Sequence, residues 1–140
     1  MKKTRGFEKI KTDRNVQIPE RKTSHSAGYD FFCAEDVIVK SRSMAVVTTG
    51  VRAIIPPDEF LLVAIRSSLA LKKSIALADG VAIIDADYNE EIFLPVYNFG
   101  TEDYLIHAGD RVAQGIFLKY ETLGEVVDKK RVGGFGSTGE

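Results

Sequence analysis

Short apolar, β-branched runs interrupted by turn-forming residues constrain this chain more than any other feature. The runs are Val37–Val39, Met44–Thr48, Val51–Ile55, Phe60–Ile65, Ile75–Leu77, Val81–Ile84, Ile92–Tyr97, Tyr104–Ile106 and Val112–Leu118. Between them fall Gly50, Pro56-Pro57-Asp58, Asp79-Gly80, Asn98-Phe99-Gly100 and Gly109-Asp110. Many short strands with frequent turns predict an antiparallel sandwich or barrel. A helix is predicted only at Ser67–Lys73, where Ser-Leu-Ala-Leu-Lys-Lys makes two turns. The first twenty-odd residues are polar, with Phe7 and Ile10 as the expected strand anchors.

At 140 residues the chain is sized for one domain with a real core. Its formal net charge of −1 excludes the strongly basic balance of a duplex DNA or RNA binder. No apolar run approaches a membrane span, and Met1-Lys2-Lys3-Thr4-Arg5 has no apolar segment behind it, so neither a membrane nor a nucleic-acid partner is expected. Cys33 is the only cysteine, which excludes intrachain disulfides and cysteine-rich zinc sites. His25 and His107 lie far apart without ligand spacing. A reducing, cytoplasmic setting is expected.

Asp79-Gly80, between Ile75–Ala78 and Val81–Ile84, has the dipeptide of a type I′ hairpin turn. Such a hairpin exposes backbone amides and carbonyls able to read the edge of a planar base, and delivers Asp85, Asp87 and Tyr88 past its second strand. Asp85 follows Ile83 and Ile84 at the rim of an apolar wall, where a carboxylate can hold and deprotonate a water. Tyr88 can pack a ring face against a sugar.

Three other internal segments carry chemistry. In Ser26-Ala27-Gly28-Tyr29-Asp30-Phe31, an acid between aromatics calls for a partner. In Arg66-Ser67-Ser68-Leu69-Ala70, a strand runs into serines and a short helix, so free N–H groups and a cation face an anion, although Ser67 or Ser68 could also cap the helix. In Gly109–Ile116, Arg111 and Gln114 stand at opposite parity along a strand, which predicts that they face different sides.

The tail, Arg131-Val132-Gly133-Gly134-Phe135-Gly136-Ser137-Thr138-Gly139-Glu140, has no apolar periodicity. Its glycines leave N–H groups able to converge on anionic oxygens. Ser137 and Thr138 add donors, Arg131 adds charge, and Phe135 offers a flat face. Together these suit a nucleoside phosphate.

The five segments, in this order and spacing from Ser26 to Glu140, resemble the trimeric dUTP diphosphatase (dUTPase) family. The resemblance implies an all-β, jelly-roll-like barrel or sandwich protomer (the β-clip fold) with one short helix. It implies a β domain over 1–130 and a flexible glycine-rich C-terminal arm over 131–140. It further implies a homotrimer with shared sites: one subunit gives the first, second and fourth segments, a neighbour the hairpin, the third its arm. The implied reaction turns dUTP and water into dUMP and pyrophosphate, lowering dUTP and supplying dUMP for thymidylate synthesis. Mg²⁺ is then held by the substrate phosphates, with no direct protein ligand.

Residue by residue, the resemblance makes Asp85 the acid that activates water for attack on the α-phosphorus. Ala82, Ile83, Ile84 and Asp79 match the hairpin that reads uracil, largely through backbone. Tyr88 matches the aromatic under the deoxyribose, where a 2′-hydroxyl would clash, and Phe93 a second position lining that pocket. Arg66, Ser67, Ser68 and Gln114 match phosphate contacts. Phe135 covers the uracil, with Gly136, Ser137 and Thr138 beside it in the arm. Asp30 and Arg111 are supporting.

Three positions depart from the family pattern. Glu90 stands where glycine is usual, two residues after the tyrosine, and Asp79 where asparagine is frequent. Arg131 is one residue closer to Phe135 than the usual arm arginine, a spacing filled by Lys130, so both cations are candidates for the γ-phosphate. Two rival readings are a dCTP deaminase-like enzyme of related fold and a catalytically idle nucleotide-binding regulatory trimer. Ammonia release from dCTP separates the first. Asp85, Gln114 and Phe135 together argue against the second.

Overall fold

The computed structural model describes residues 4–10 and 16–133. They form strands β1 (Gly6–Lys9), β2 (Tyr29–Phe32), β3 (Val37–Val39), β4 (Met44–Thr48), β5 (Val51–Ile54) and β6 (Glu59–Ile65), then helix α1 (Ser67–Lys73). Strands β7 (Ile75–Leu77), β8 (Ala82–Ile84), β9 (Phe93–Asn98), β10 (Tyr104–Ile106) and β11 (Arg111–Lys119) follow. Every ladder is antiparallel: a four-stranded sheet β2-β11-β6-β8, a three-stranded sheet β4-β9-β7, and the pairs β1-β5 and β3-β10.

This is the expected all-β, jelly-roll-like arrangement, and alternation builds it. Leu61 and Val63 on β6, Leu94 and Val96 on β9, Phe31 on β2 and Ile84 on β8 point inward and share one core, while their neighbours along each strand stay partly or fully accessible. Phe7 of β1 joins it through ring contacts of 5.4–5.7 Å with Phe31, Phe117 and Tyr29. Phe7 is therefore a strand anchor as expected, but Ile10 is not: it lies just past β1 and is 43% exposed.

Helix α1 begins and ends abruptly. Arg66 is its N-cap residue, in extended conformation, with no side-chain cap bond, so neither Ser67 nor Ser68 caps the helix. Ser74 closes it in the left-handed region at φ 58°, behind Lys72 and Lys73, which suit the helix's negative end. Among the described residues no helix is long and apolar enough to cross a membrane.

The hairpin expected around Asp79-Gly80 does not form as a ladder. Strand β7 pairs with β9 and β8 pairs with β6, so the two belong to different sheets. Nor is the turn type I′, which needs positive φ at both central residues. Gly80 has φ 82°, but Asp79 does not share it. Instead the Gly80 amide donates to the Leu77 carbonyl at 3.0 Å and the Val81 amide to Asp79 at 3.0 Å. Each three-residue strand finds a longer partner, six-residue β9 or seven-residue β6, and the turn becomes a corner between sheets.

Candidate active site

The predicted site residues fall into two groups within one chain. The first gathers where β6 ends beside β2 and the start of β11. Here the ladder register shifts: Arg111 opposes Phe32, while Ala113 opposes Phe31. Val112 is the extra residue of a β-bulge, and it cancels the alternation on which the sequence reading relied. Gln114 then opposes Asp30, two residues from Phe32 on β2, so Arg111 and Gln114 share a face instead of facing different sides. Asp30, an acid between aromatics, has its partner there: Arg111 Nη1 donates to Asp30 Oδ2 at 3.4 Å.

Arg66 is tied to the same place. Its amide donates to the Val112 carbonyl at 3.0 Å and its guanidinium lies 3.5 Å from the Arg111 carbonyl. The amides of Ser67 and Ser68 precede the first intrahelical donor, since Leu69 and Ala70 both donate to the Arg66 carbonyl. Gly28 comes so close to Gln114 that an added Cβ would stand 2.7 Å from Gln114 Oε1. Next to this group opens a cleft of about 470 Å³ lined in part by Arg66, Ser68, Lys72, Lys73, Tyr104 and Arg111. Four cations against one lining carboxylate, Asp110, leave the concavity positive and suited to a polyanion. Lys72, Lys73 and Tyr104 were not anticipated; the lysines read in sequence only as a helix end.

The second group follows β8, an edge strand that pairs only with β6 among the described ladders. Its edge position leaves one backbone side without a ladder partner among the described residues, while Ala82 and Ile84 are buried and Ile83 is 53% exposed. Asp79 is exposed on the corner before it. After Ile84, the Tyr88 amide donates to the Asp85 carbonyl at 3.1 Å, a tight turn that sets Asp85, Asp87 and Tyr88 side by side. Tyr88 is buried and its hydroxyl donates to the Glu91 carbonyl. Burial pushes its phenol upward, helped by the Glu90 and Glu91 carboxylates and opposed by Arg131. Glu91 is itself buried and accepts from the Gly50 amide at 3.0 Å, bracing the turn against β5. Phe93 is half-buried at the start of β9, in a cleft with Ile10, Arg52 and Glu90.

Arg131 comes back to this second group from beyond β11. It donates to Asp87 Oδ1 at 2.8 Å and to Asp85 Oδ2. In a single chain the arm's cation therefore meets its own Asp85, where the sequence reading expected a neighbour's. Asp87 is a partner the sequence reading did not assign; its signal was a second acid two residues after Asp85. Phe135, Gly136, Ser137 and Thr138 lie outside the described residues.

The two groups do not meet. Ile84 opposes Leu61 on β6, whereas Gln114 opposes Ala64 and Ala113 opposes Ile65. With about 3.3 Å per residue along a strand and about 4.8 Å between strands, Asp85 and Gln114 are on the order of 15 Å apart, and Arg66 is farther still. Among the described residues no three His, Cys, Asp or Glu side chains converge to hold a metal ion.

An all-β protomer with a cationic cleft at one end of a sheet and paired carboxylates beside a buried tyrosine at the other matches one family model, described as dUTPase, over residues 14–139. The chain belongs to the dUTPase family. It is 39% identical to the deoxyuridine 5′-triphosphate nucleotidohydrolase of Lactococcus lactis subsp. lactis (strain IL1403), over 98% of this chain and 99% of that one. The enzyme of the same description from Rickettsia rickettsii (strain Sheila Smith) is also 39% identical, over 94% of this chain and 95% of that one. The crystal structure of dUTPase from Streptococcus mutans superposes with a TM-score of 0.80 at 36% identity, covering 86% of this chain and 99% of that chain.

Proposed function

We propose that this protein hydrolyses dUTP to dUMP and pyrophosphate, lowering dUTP and supplying dUMP for thymidylate synthesis, in a homotrimer whose sites combine residues from different copies. The observation that carries the shared site is the division of the predicted residues into two groups on the order of 15 Å apart along one sheet. Bringing a second copy's Asp85 turn to the Arg66–Gln114 group completes a site that one chain leaves open. The segment after β11 supports assembly, because Leu123, Val126, Val127 and Val132 are between 71% and 100% exposed and lack a surface of their own.

In this reading Asp85 holds the attacking water and takes its proton as oxygen approaches the α-phosphorus. Arg66, Ser67, Ser68 and Gln114 hold the phosphate chain by charge and hydrogen bonds, with Asp30 fixing Arg111 beside them. The open edge of Ala82-Ile83-Ile84, with Asp79 at its corner, takes the uracil by main-chain groups. Tyr88 and Phe93 line the sugar pocket and exclude a 2′-hydroxyl. Residues 131–140 are the closing arm on a 1–130 core, with Phe135 over the base and Gly136, Ser137 and Thr138 on the phosphates.

Mg²⁺ would be carried by those phosphates and would supply charge neutralisation of the leaving pyrophosphate. A cytoplasmic setting accords with Cys33, a buried, unpaired thiol. Pyrophosphate release from dUTP, dCTP, dTTP and UTP with Mg²⁺ tests the function: selective release from dUTP is expected. Equal rates on dUTP and UTP would remove Tyr88 from ribose exclusion, and ammonia from dCTP would replace the reaction altogether.

A further inference from the structure

The connection from β8 to β9 carries Asp85 and Tyr88, and its far end is fastened to the corner between β4 and β5. Three bonds make the fastening. Gly50, which turns that corner at φ 71°, donates its amide to Glu91 Oε2 at 3.0 Å. Thr49 Oγ1 donates to the Ile92 carbonyl at 2.7 Å, and the Ile92 amide donates to the Val51 carbonyl at 2.9 Å. Thr49, Glu91 and Ile92 are all buried. Into the middle of this fastening the Tyr88 hydroxyl donates, to the Glu91 carbonyl.

A buried phenol needs an acceptor, and the acceptor fixes where the ring lies. Tyr88 is thus held at both ends, its amide by the Asp85 carbonyl at 3.1 Å and its hydroxyl by Glu91. A ring serving only as an apolar wall could as well be phenylalanine. The hydroxyl adds a fixed distance between that wall and the barrel behind it. Rejecting a 2′-hydroxyl depends on that distance, because the ring excludes the extra oxygen only if it cannot recede. A displacement of about 1 Å at a group facing substrate changes rates by up to about a hundredfold. Glu91 is itself kept from drifting, since a buried carboxylate that leaves its amide donor is costly.

We propose that Glu91 is a positioning residue for sugar choice: seated on the Gly50 amide, it holds the Tyr88 hydroxyl by its carbonyl and keeps the ring from receding before a 2′-hydroxyl. The proposal rests on the dUTPase reading for its consequence in turnover, but not for the placement of the ring.

The test compares the full chain, wild type, with Glu91→Ala, Glu91→Gln, Tyr88→Phe and Glu59→Gln, the last loosening β1 instead. Two quantities are read: the ratio of kcat/KM for dUTP to that for UTP, and the ring-carbon NMR signal of Tyr88, identified by its absence from Tyr88→Phe. In Glu91→Ala and Tyr88→Phe the ratio is expected to fall about tenfold, through a gain on UTP. Their double variant should discriminate no worse than either alone, because both break one chain of contacts. Glu91→Gln, whose side-chain oxygen still accepts from Gly50, should keep the wild-type ratio and ring signal, whereas Glu91→Ala should shift the signal. If Glu91→Ala does not fold, Thr49→Val takes its place, since it removes the bond to the adjoining Ile92 carbonyl. An unmoved ring signal overturns the positioning role whether or not the chain hydrolyses dUTP. A shifted signal with no pyrophosphate release by wild type keeps that role and removes the dUTPase reading. A shifted signal with turnover and an unchanged ratio overturns the claim on sugar choice, as does an equal fall of the ratio in Glu59→Gln.

Discussion

Gly115 sits on β11 opposite Val63 and against the packed rings of the core, where an added Cβ would stand 2.6 Å from Phe31 Cε1 and 3.1 Å from Leu61 Cδ1. Phe31 and Leu61 are both fully buried, so neither can swing into solvent to make room. Gly115→Ala is expected to destabilise the fold by about 1–3 kcal/mol through overpacking, measured by urea unfolding. Gly28 faces a different neighbour. Its Cβ would press on Gln114, near both Oε1 and Cβ, so Gly28→Ala is expected to displace a proposed phosphate contact and raise KM more than it lowers the thermal midpoint. Asp85→Asn keeps shape and polarity but cannot accept a proton. Turnover is expected to fall about 10²- to 10⁴-fold with nucleotide binding retained, read from pyrophosphate release and calorimetry. Wild-type turnover in that variant would take Asp85 out of the mechanism.

At the scale of elements, β1 is fastened at the edge of the barrel by a buried acid. Arg5 donates through Nε to Glu59 Oε1 at 2.7 Å and through Nη2 to Oε2, while Lys119 stands opposite Glu59 in the β6–β11 ladder. The guanidinium holds the Glu59 carboxyl below its ordinary 4.5, burial opposing the shift, with Arg5's charge and then Lys119 adding to it. A lowered acid stabilises the fold fully above its ordinary value and loses that contribution as pH falls through the folded one. The thermal midpoint of wild type should therefore exceed that of Glu59→Gln at neutral pH, and the gap should close on acidification below pH 4.5. A gap independent of pH would deny the pair its role. Strands such as β6 and β9 were legible in sequence because continuous apolar runs bounded by turn residues are written into consecutive positions. Strand β2 was hidden because Tyr29-Asp30-Phe31-Phe32 carries a charge whose partner, Arg111, lies 81 residues away. The failed hairpin and the Val112 bulge share that cause. Pairing partners and register are settled by distant strands, and a local dipeptide or a parity count does not contain them.

For the whole molecule, the separation of the Asp85 turn from the Arg66–Gln114 group leads to a test by mixing. If the sites are shared in a trimer as proposed, Asp85→Ala and Arg66→Ala should each be nearly inactive alone. Refolded together, they should regain part of the dUTP hydrolysis, because some mixed sites draw an intact Asp85 from one copy and an intact Arg66 from another. No recovery in verified mixed trimers would place both residues in one chain's site. The five chemistry-bearing segments were legible as a set, through their order along the chain, and the resemblance set the hairpin apart from the first, second and fourth; that these stand at two ends of one sheet was not legible. That distribution is a property of strand order. In the proposed assembly it would also tie activity to abundance. Under the proposed shared site, a newly made chain waits for encounters with its own kind before it can act, with Leu123, Val126 and Val127 in water meanwhile. Output per chain should then drop on dilution, and production of the enzyme in a growing cell should respond to synthesis with a threshold rather than in proportion.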